Sequence, residues 1–396
     1  MMQISPETQL FIREHSSDDV RVLALQAKKY PDIDMPTAIT QIAGRKVAAE
    51  KIPSWWEIEK IWYPKHLSLE QCSSEITARY KARLLQGDSL TDLTGGFGID
   101  CSFLATGFKS ATYVERQEEL CEIAAHNFPV LNLNHINIKN EDGVTYLQAM
   151  SPVDCLFLDP ARRNEHGGKT VAISDCEPNV AELEELLLQK ANRVMIKLSP
   201  MLDLSLALKE LKQTQEVHIL SVNNECKELL ILLGQTSPAE ISIHCVNLFT
   251  KGTQKAQHFV FTREQEQCSE CTYTDSLETY LYEPNASLLK AGAFRSIAAA
   301  YPVRKLHPNS HLYTSDTFIE NFPGRIFRIV NQCSFNKKEV KENLADLKKA
   351  NVTVRNFPAT VAELRKRIHL AEGGDTYLFA STLNNGQKVL IRCEKV

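Results

Sequence analysis

Apolar positions recur every three to four residues over 20–30, 38–51 and 74–85, which predicts amphipathic helices. Pro31, Pro36, Pro53 and Pro64 punctuate them. From residue 89 the pattern changes. Short apolar runs at 89–93, 111–114, 136–139, 153–158, 193–197, 217–222 and 229–233 read as strands. Helical periodicity falls between them, at 117–128, 180–190 and 204–211. This alternation predicts a parallel α/β sheet, with 241–249 and 257–263 extending the same layer. After a polar stretch at 264–275, Tyr280-Leu-Tyr282 leads into a helix over 286–300. A last αβ segment places strands at 325–330, 352–355, 376–381 and 388–393, with helices at 338–350 and 360–369. Trp55, Trp56 and Trp62 cluster in one segment, and the reading preferred over base stacking is packing of the helical region on its neighbour.

A length of 396 residues predicts two to four domains. Hydrophobic content of 43% and charged content of 24% is the balance of a soluble globular protein. No apolar run approaches the ~20 residues of a membrane helix, and Met-Met-Gln-Ile-Ser-Pro-Glu lacks the layout of a signal peptide. Eleven scattered cysteines, some inside apolar strands (Cys155, Cys245), point to reduced thiols in a cytoplasm. Net charge is −4, so no global basic field announces nucleic acid. Its distribution is uneven. Residues 321–396 hold 14 Lys+Arg against 7 Asp+Glu, a surplus of +7 that leaves −11 on the first 320.

The stretch Asp92-Leu-Thr-Gly-Gly-Phe-Gly-Ile-Asp100 follows a predicted strand and opens a predicted helix. Glycines let backbone approach a ligand, and the N–H groups of a helix start point at it. A dinucleotide fingerprint needs a third glycine, and Cys101 stands there. The acids Asp92 and Asp100 repel a pyrophosphate but suit a ligand that carries a sulfonium and an amino group. Glu115 ends the next strand, 20 residues after Gly95, where an acid accepts from two ribose hydroxyls; helix capping is the competing role. Asp142, in Asn140-Glu-Asp-Gly143, is placed for the exocyclic amine of adenine, against the alternative of an ordinary Asp-Gly turn. The fourth strand ends in Asp159-Pro-Ala-Arg-Arg163, at the strand edge where open α/β sheets bind ligands. Asp159 and Pro160 stand at the transfer point, with Asp159 also beside the cofactor, and Arg162 and Arg163 suit phosphates or a base edge. A salt bridge from an arginine to Glu165 is the alternative.

These motifs resemble those of class I S-adenosyl-L-methionine (SAM) methyltransferases, in which an acid, glycines and often a second acid form the first motif. The resemblance implies SAM as cofactor, held by Asp92, Thr94, Gly95, Gly96, Gly98, Asp100, Glu115, Asp142 and Asp159. Asp159-Pro-Ala-Arg resembles the fourth motif of nucleic-acid methyltransferases, closest to the RNA uracil-C5 enzymes. Those need a nucleophilic cysteine after the fifth strand. Lys197-Leu-Ser-Pro200 occupies that place here, so direct non-covalent transfer to a nitrogen or oxygen fits better. The lead-in 69–82 is similar to a bacterial group related to trimethylguanosine synthases, with Gln71 and Ser73 at the positions that help close over SAM.

Over nearly its full length the chain resembles bacterial class I SAM methyltransferases with a C-terminal THUMP-like domain. Ser221-Val-Asn-Asn-Glu-Cys-Lys-Glu228, Tyr282-Glu-Pro-Asn285 and Leu312-Tyr-Thr-Ser315 carry the rest of the match. It implies an α/β fold: a seven-stranded Rossmann-like methyltransferase sheet with an N-terminal helical domain and C-terminal α+β domains, ferredoxin-like and THUMP-like. The expected boundaries are 1–75, 76–263, 275–320 and 321–396. THUMP domains bind structured RNA, so the resemblance implies a tRNA or rRNA acceptor. The basic surplus adds Lys337, Lys338, Lys341, Lys348, Lys349, Arg365, Lys366 and Arg367 as candidate phosphate contacts, against the alternative of solvated helix faces. A small-molecule or protein acceptor, or a non-catalytic SAM- or RNA-binding protein, are the rival functions. Cys268-Ser-Glu-Cys271 has zinc-knuckle spacing, but the long gap to His307 and His311 argues against a metal there, and direct methyl transfer needs none.

Overall fold

The computed structural model describes residues 4–162, 172–252 and 254–396, without the side chains of His66, Leu67 and Arg162. Two compact units divide the chain: Met1–Gln215 with Leu230–Ser237, and Glu216–Leu229 with Pro238–Val396.

The first unit begins with helices α1 (Pro6–Glu14), α2 (Val20–Leu25), α3 (Met35–Lys51), α4 (Pro53–Trp56), α5 (His66–Gln71) and α6 (Glu75–Lys81). Ser5, Asp19 and Asp34 cap the first three by accepting from amides that have no partner within the helix. Proline opens α1, α3 and α4, where its missing N–H costs nothing. The helix expected over 20–30 ends at Leu25, and a short 3-10 turn, Ala27–Lys29, follows. Phe11, Leu23, Met35, Ala38 and Ile42 form one small core. A second core joins Trp55, Ile61 and Tyr63 to Phe97, Ile99, Phe103 and Ile123. Trp55 meets the Phe97 ring edge-on at 5.2 Å, and Trp62 stacks on His126 at 3.8 Å. The tryptophan segment therefore packs the N-terminal helices onto the sheet's own layer.

The sheet strands are β1 (Ser89–Asp92), β2 (Ser110–Glu115), β3 (Ile136–Asn140), β4 (Val153–Leu158), β7 (Ala191–Leu198), β8 (Thr214–Val222), β9 (Glu225–Gly234), β10 (Ser242–Leu248) and β11 (Gln257–Phe261). A separate two-residue ladder pairs β5 (Ala161–Arg162) with β6 (Cys176–Glu177). Helices α7 (Ile99–Ala105), α8 (Glu118–Val130), α9 (Gly143–Ala149), α10 (Val180–Lys190) and α11 (Leu204–Glu210) alternate with the strands. The nine-stranded order is β3-β2-β1-β4-β7-β9-β8-β10-β11. β1 pairs in parallel with β2 and β4, β2 with β3, and β4 with β7. All seven strands expected for the methyltransferase sheet form, and β10 and β11 extend it. The chain winds outward from β1 to β3, then returns to β4 on the other side of β1. That reversal opens a crevice beyond the carboxyl ends of β1 and β4, where sheets of this kind bind ligands.

The second unit adds α12 (Arg263–Cys268), β12 (Tyr280–Pro284), α13 (Ala286–Ala291), α14 (Ser296–Ala300), β13 (Arg304–Lys305), β14 (Tyr313–Ser315), β15 (Gly324–Ser334), α15 (Lys337–Leu344), β16 (Asn351–Val354), α16 (Val361–Ile368), β17 (Thr376–Thr382) and β18 (Lys388–Lys395). Its sheet runs β13-β14-β12-β15-β18-β17-β16. The helix expected over 286–300 is two helices, because Gly292 takes a left-handed cap (φ +78°) after α13. The polar stretch after residue 263 holds α12, closed by a Thr262–Gln265 capping box.

Truncating Trp55, 2% exposed, removes the centre of the second core. Trp55→Ala is expected to lower the unfolding free energy by about 3–5 kcal/mol in urea titration, the range for a buried aromatic. A loss below about 1 kcal/mol would show that the cluster is peripheral.

Candidate active site at the carboxyl edge of the sheet

The turn after β1 is built from amide hydrogen bonds, two accepted by side chains and one by backbone, that tie three strands together. The Thr94 amide donates to Asp92 Oδ1 (3.0 Å), and the Asp159 amide donates to Thr94 Oγ1 (2.7 Å). Thr94 thus joins the ends of β1 and β4 across the crevice. The Gly95 amide donates to the Val114 carbonyl (2.8 Å) in β2. A Cβ on Gly95 would lie 2.2 Å from the Tyr113 ring, so nothing larger fits. Gly96 has φ +53°, and a Cβ there would meet nothing nearer than 3.8 Å. Its surface is therefore open and its conformation, not crowding, calls for glycine. Gly98 (φ +87°) is the N-cap of α7.

Beneath this turn lies a row of buried charges. Lys81 Nζ is 3.0 Å from Asp100 Oδ1, Lys197 Nζ is 3.1 Å from Asp100 Oδ2, and Lys197 Nζ is 2.5 Å from Asp159 Oδ2. Ser73 Oγ donates to Asp100 Oδ2 (2.7 Å) and accepts from both lysines (2.9 and 3.1 Å). The signs alternate Lys81, Asp100, Lys197, Asp159, so the row is neutral as a whole. Burial drives the Asp100 carboxyl upward, yet the two ammonium groups outweigh it and hold the group below the usual carboxylate range. Burial raises the Asp159 carboxyl above the usual carboxylate range, and the opposing Lys197 ammonium does not cancel that rise. Asp92 stands outside the row, 1% exposed and without a lysine of its own. Burial pushes its carboxyl up to about 8, against the opposing Thr94 amide, and Asp100 and Asp159 add to the rise. Its Oδ2 is buried with no hydrogen-bond partner among the described residues.

The other expected site residues sit as follows. Glu115 accepts from the Gly96 amide through Oε2 and the Gln117 amide through Oε1, both at 2.9 Å, so it fixes the glycine turn to the end of β2. Asp142 is exposed, and its Oδ1 caps α9 by accepting from Val144 and Thr145 (3.0 Å each). Gln71 is exposed at the end of α5, while Pro160 is buried beside Asp159. Arg162 closes β5 by its backbone, and Arg163 lies outside the described residues. Ser73 and Asp100 are brought together with each other and with two lysines. Lys81 and Lys197 had not been singled out as site residues from the sequence. The available signals were a lysine within the apolar run Val194-Met-Ile-Lys-Leu198 and a lysine on the Thr77–Ala78 face of α6.

Known proteins match this architecture. Residues 280–323 match a ferredoxin-like domain family, and 324–395 match a THUMP domain-like family. The crystal structure of a "putative methyltransferase" from Porphyromonas gingivalis W83 is 34% identical over 100% of both chains, with a TM-score of 0.88. The chain belongs to this methyltransferase family. An rRNA methylase from Streptococcus thermophilus overlaps 40% of the chain and 93% of its own length at 15% identity, with a TM-score of 0.30. No curated protein matches the chain.

Asp92 gives this methyltransferase a specific pH dependence. In the unfolded chain the carboxyl ionises near pH 4; in the folded one it stays protonated until about 8. Folding stability from this group is therefore full below about pH 4, falls as pH rises towards about 8 and is level above it. Asp92→Asn has no such slope. The variant should gain stability relative to wild type between those limits in urea unfolding followed across pH, and a pH-independent difference would contradict an abnormally protonated Asp92.

Proposed function

We propose that the chain is a SAM-dependent methyltransferase that transfers its methyl group directly to a nucleotide of structured RNA, tRNA or rRNA, in the cytoplasm. The observation that carries the cofactor assignment is the buried, partnerless Asp92 Oδ2 beside an open glycine turn at the switch point. When bound, SAM supplies an electrophilic methyl on a cationic sulfur. Asp92 fits that charge and the amino group, because a cation restores the ionised form that burial suppresses. Thr94, Gly95, Gly96 and Gly98 leave backbone room, Glu115 has lone pairs for the ribose hydroxyls, and Asp142 Oδ2 serves the adenine amine. Ser73 and Asp100 act from below by fixing Lys197, and through it Asp159. Gln71 serves closure over the cofactor.

Asp159 and Pro160 present the acceptor side, and Arg162 and Arg163 receive acceptor phosphate or base edges. Catalysis then rests on in-line orientation of acceptor and methyl. Lys197 occupies the strand end where a covalent route needs a cysteine thiolate. Burial pushes the Cys155 thiol up to about 11, which leaves it protonated and inert. The expected domain limits, 1–75, 76–263, 275–320 and 321–396, belong to the same proposal, with the last segment delivering RNA. Lys337, Lys338, Lys341, Lys348, Lys349, Lys366 and Arg367 are exposed there, whereas Arg365 is half-buried and 3.7 Å from Glu372. The first seven are the better phosphate contacts.

Calorimetry in buffers of different ionisation enthalpy tests the cofactor reading. SAM binding near pH 7 should release about one proton as Asp92 ionises, and Asp92→Asn should bind more weakly without proton release. Binding without proton release in wild type would reject Asp92 as the cation's partner. Tritiated methyl transfer to total RNA tests the acceptor: label confined to the protein or small-molecule fraction would replace the RNA reading. Charge reversal at Lys341 and Lys366 should weaken RNA binding and flatten its salt dependence, with SAM affinity unchanged.

A further inference from the structure

Four side chains of metal-ligand type, one glutamate and three histidines, share one face of the second unit's strands. Glu216 and His218 lie two residues apart on β8, so they project to the same side. His244 on β10 is the parallel register partner of His218. His258 on β11 pairs with Val246, two positions from His244, and so joins the same face. Glu216, His218 and His244 each offer a ligand atom within 4.8 Å of the others. Glu216 Oε2 lies 3.2 Å from His218 Nε2, and His244 Nδ1 lies 3.3 Å from His258 Nε2.

Those two short separations have a metric consequence. Zinc bonds of about 2.0–2.1 Å to imidazole nitrogen and carboxylate oxygen place tetrahedral ligand atoms about 3.3–3.4 Å apart. The Glu216–His218 and His244–His258 pairs already stand at that spacing, as two edges of one tetrahedron would. A pair at the 4.8 Å limit of the Glu216, His218 and His244 set needs at most roughly 1.4 Å of side-chain movement to reach the same edge, while His258 stands outside that set and joins it by turning its exposed side chain past His244. Glu216, a third exposed, and the exposed His258 have room for it. The His218 and His244 rings are stacked at 4.3 Å, and those of His244 and His258 at 5.5 Å, so the imidazoles form one continuous column.

We propose that Glu216, His218, His244 and His258 form a divalent transition-metal site, of the zinc class, that clamps β8, β10 and β11 together. Nitrogen and carboxylate donors in a four-ligand set are the donor chemistry of Zn²⁺, and imidazole-rich sets accept Co²⁺ and Ni²⁺ as well. The site is separate from methyl transfer and does not depend on that reading. Its role is structural, because four protein ligands leave no open coordination position for a reacting water. A simple hydrogen-bonded histidine column is the competing account, and it binds no metal.

The test uses the full chain, stripped with a chelator and titrated with Zn²⁺ alone and Co²⁺ alone. One tight equivalent per chain is expected by competition with a chromogenic chelator. The Co²⁺ form should show visible d–d bands without a thiolate charge-transfer band. Zn²⁺ should raise the melting temperature of wild type. His244→Ala should weaken binding at least ~100-fold and abolish the melting shift, and His258→Ala should weaken it at least ~10-fold, scaled to losses seen at metal sites. Glu216→Gln, at a more exposed position, repeats the comparison if His244→Ala misfolds. His126→Ala, in the other unit, should leave binding unchanged. No tight equivalent in wild type, a thiolate band, or unchanged affinity in both His244→Ala and Glu216→Gln would overturn the proposal.

Discussion

Everything at the candidate active site depends on one constraint: two buried lysines and the buried Asp100, with the partly exposed Asp159, interlock beneath the glycine turn. Lys81 is fully buried, and Asp100 and Lys197 nearly so. Withdrawing such ions from water costs several kcal/mol each, and pairing offsets that only when geometry is good and remaining lone pairs are used. Alternating signs and the Ser73 hydroxyl meet both conditions. The same pairing fixes relative positions. Lys81 comes from α6, Asp100 from α7, Lys197 from β7, and Asp159 follows β4. Withdrawing any one leaves a net charge in the buried row, and breaking a buried pair in this way costs about 3–5 kcal/mol. The crevice is therefore set electrostatically from below and by the Thr94 hydrogen bonds from above.

A neutral row has a further effect on its neighbour. Asp92 lies near two carboxylates, and both lysines are already engaged by them. Burial foremost, with the two carboxylates adding to it, therefore pushes Asp92 towards the acid form. Its Oδ2, without a hydrogen-bond partner among the described residues, lies at the sheet's switch point. Functional sites are where such local costs are tolerated, because a ligand can relieve them.

Much of this fold was legible in the sequence because its signals are local. Strand runs such as 153–158 are continuous apolar stretches, as expected of a sheet covered on both faces. Boundaries failed where one residue decides. Gly292 cuts an alanine-rich helical run in two, and the helix expected to reach 350 ends at Leu344. Site legibility was uneven for a different reason. The glycine turn and the acids at strand ends announce themselves by spacing. Lys81 and Lys197 do not, because a lysine is ordinarily a solvent residue and only its partners across the fold bury it. Asp100 and Ser73 were singled out as ligand contacts, but the structure joins them to those lysines. Arg163 lies beyond the described residues, so its part of the motif stays with the proposal.

The C-terminal module separates its charged surface from its packing by a single extra residue. Phe379, Val389, Ile391 and Cys393 face a core shared with Leu281, Leu306 and Leu312, while Leu378, Ala380 and Leu390 face the helices α15 and α16. β17 and β18 achieve this by ordinary alternation. β15 cannot, since Phe327 and Ile329 face the first core and Cys333, also an odd position, faces the second. A register shift between Ile329 and Asn331 leaves Val330 as the unpaired residue. One inserted residue exchanges the two faces of a strand. Long β15 thereby serves the core shared with the ferredoxin-like segment at its start and the helix core at its end. Both helices then bury Leu344 and Leu364 against one side of the sheet, and their lysines have only solvent to occupy. Lys337, Lys338, Lys341 and Lys366 are thus displayed on the outer faces of α15 and α16.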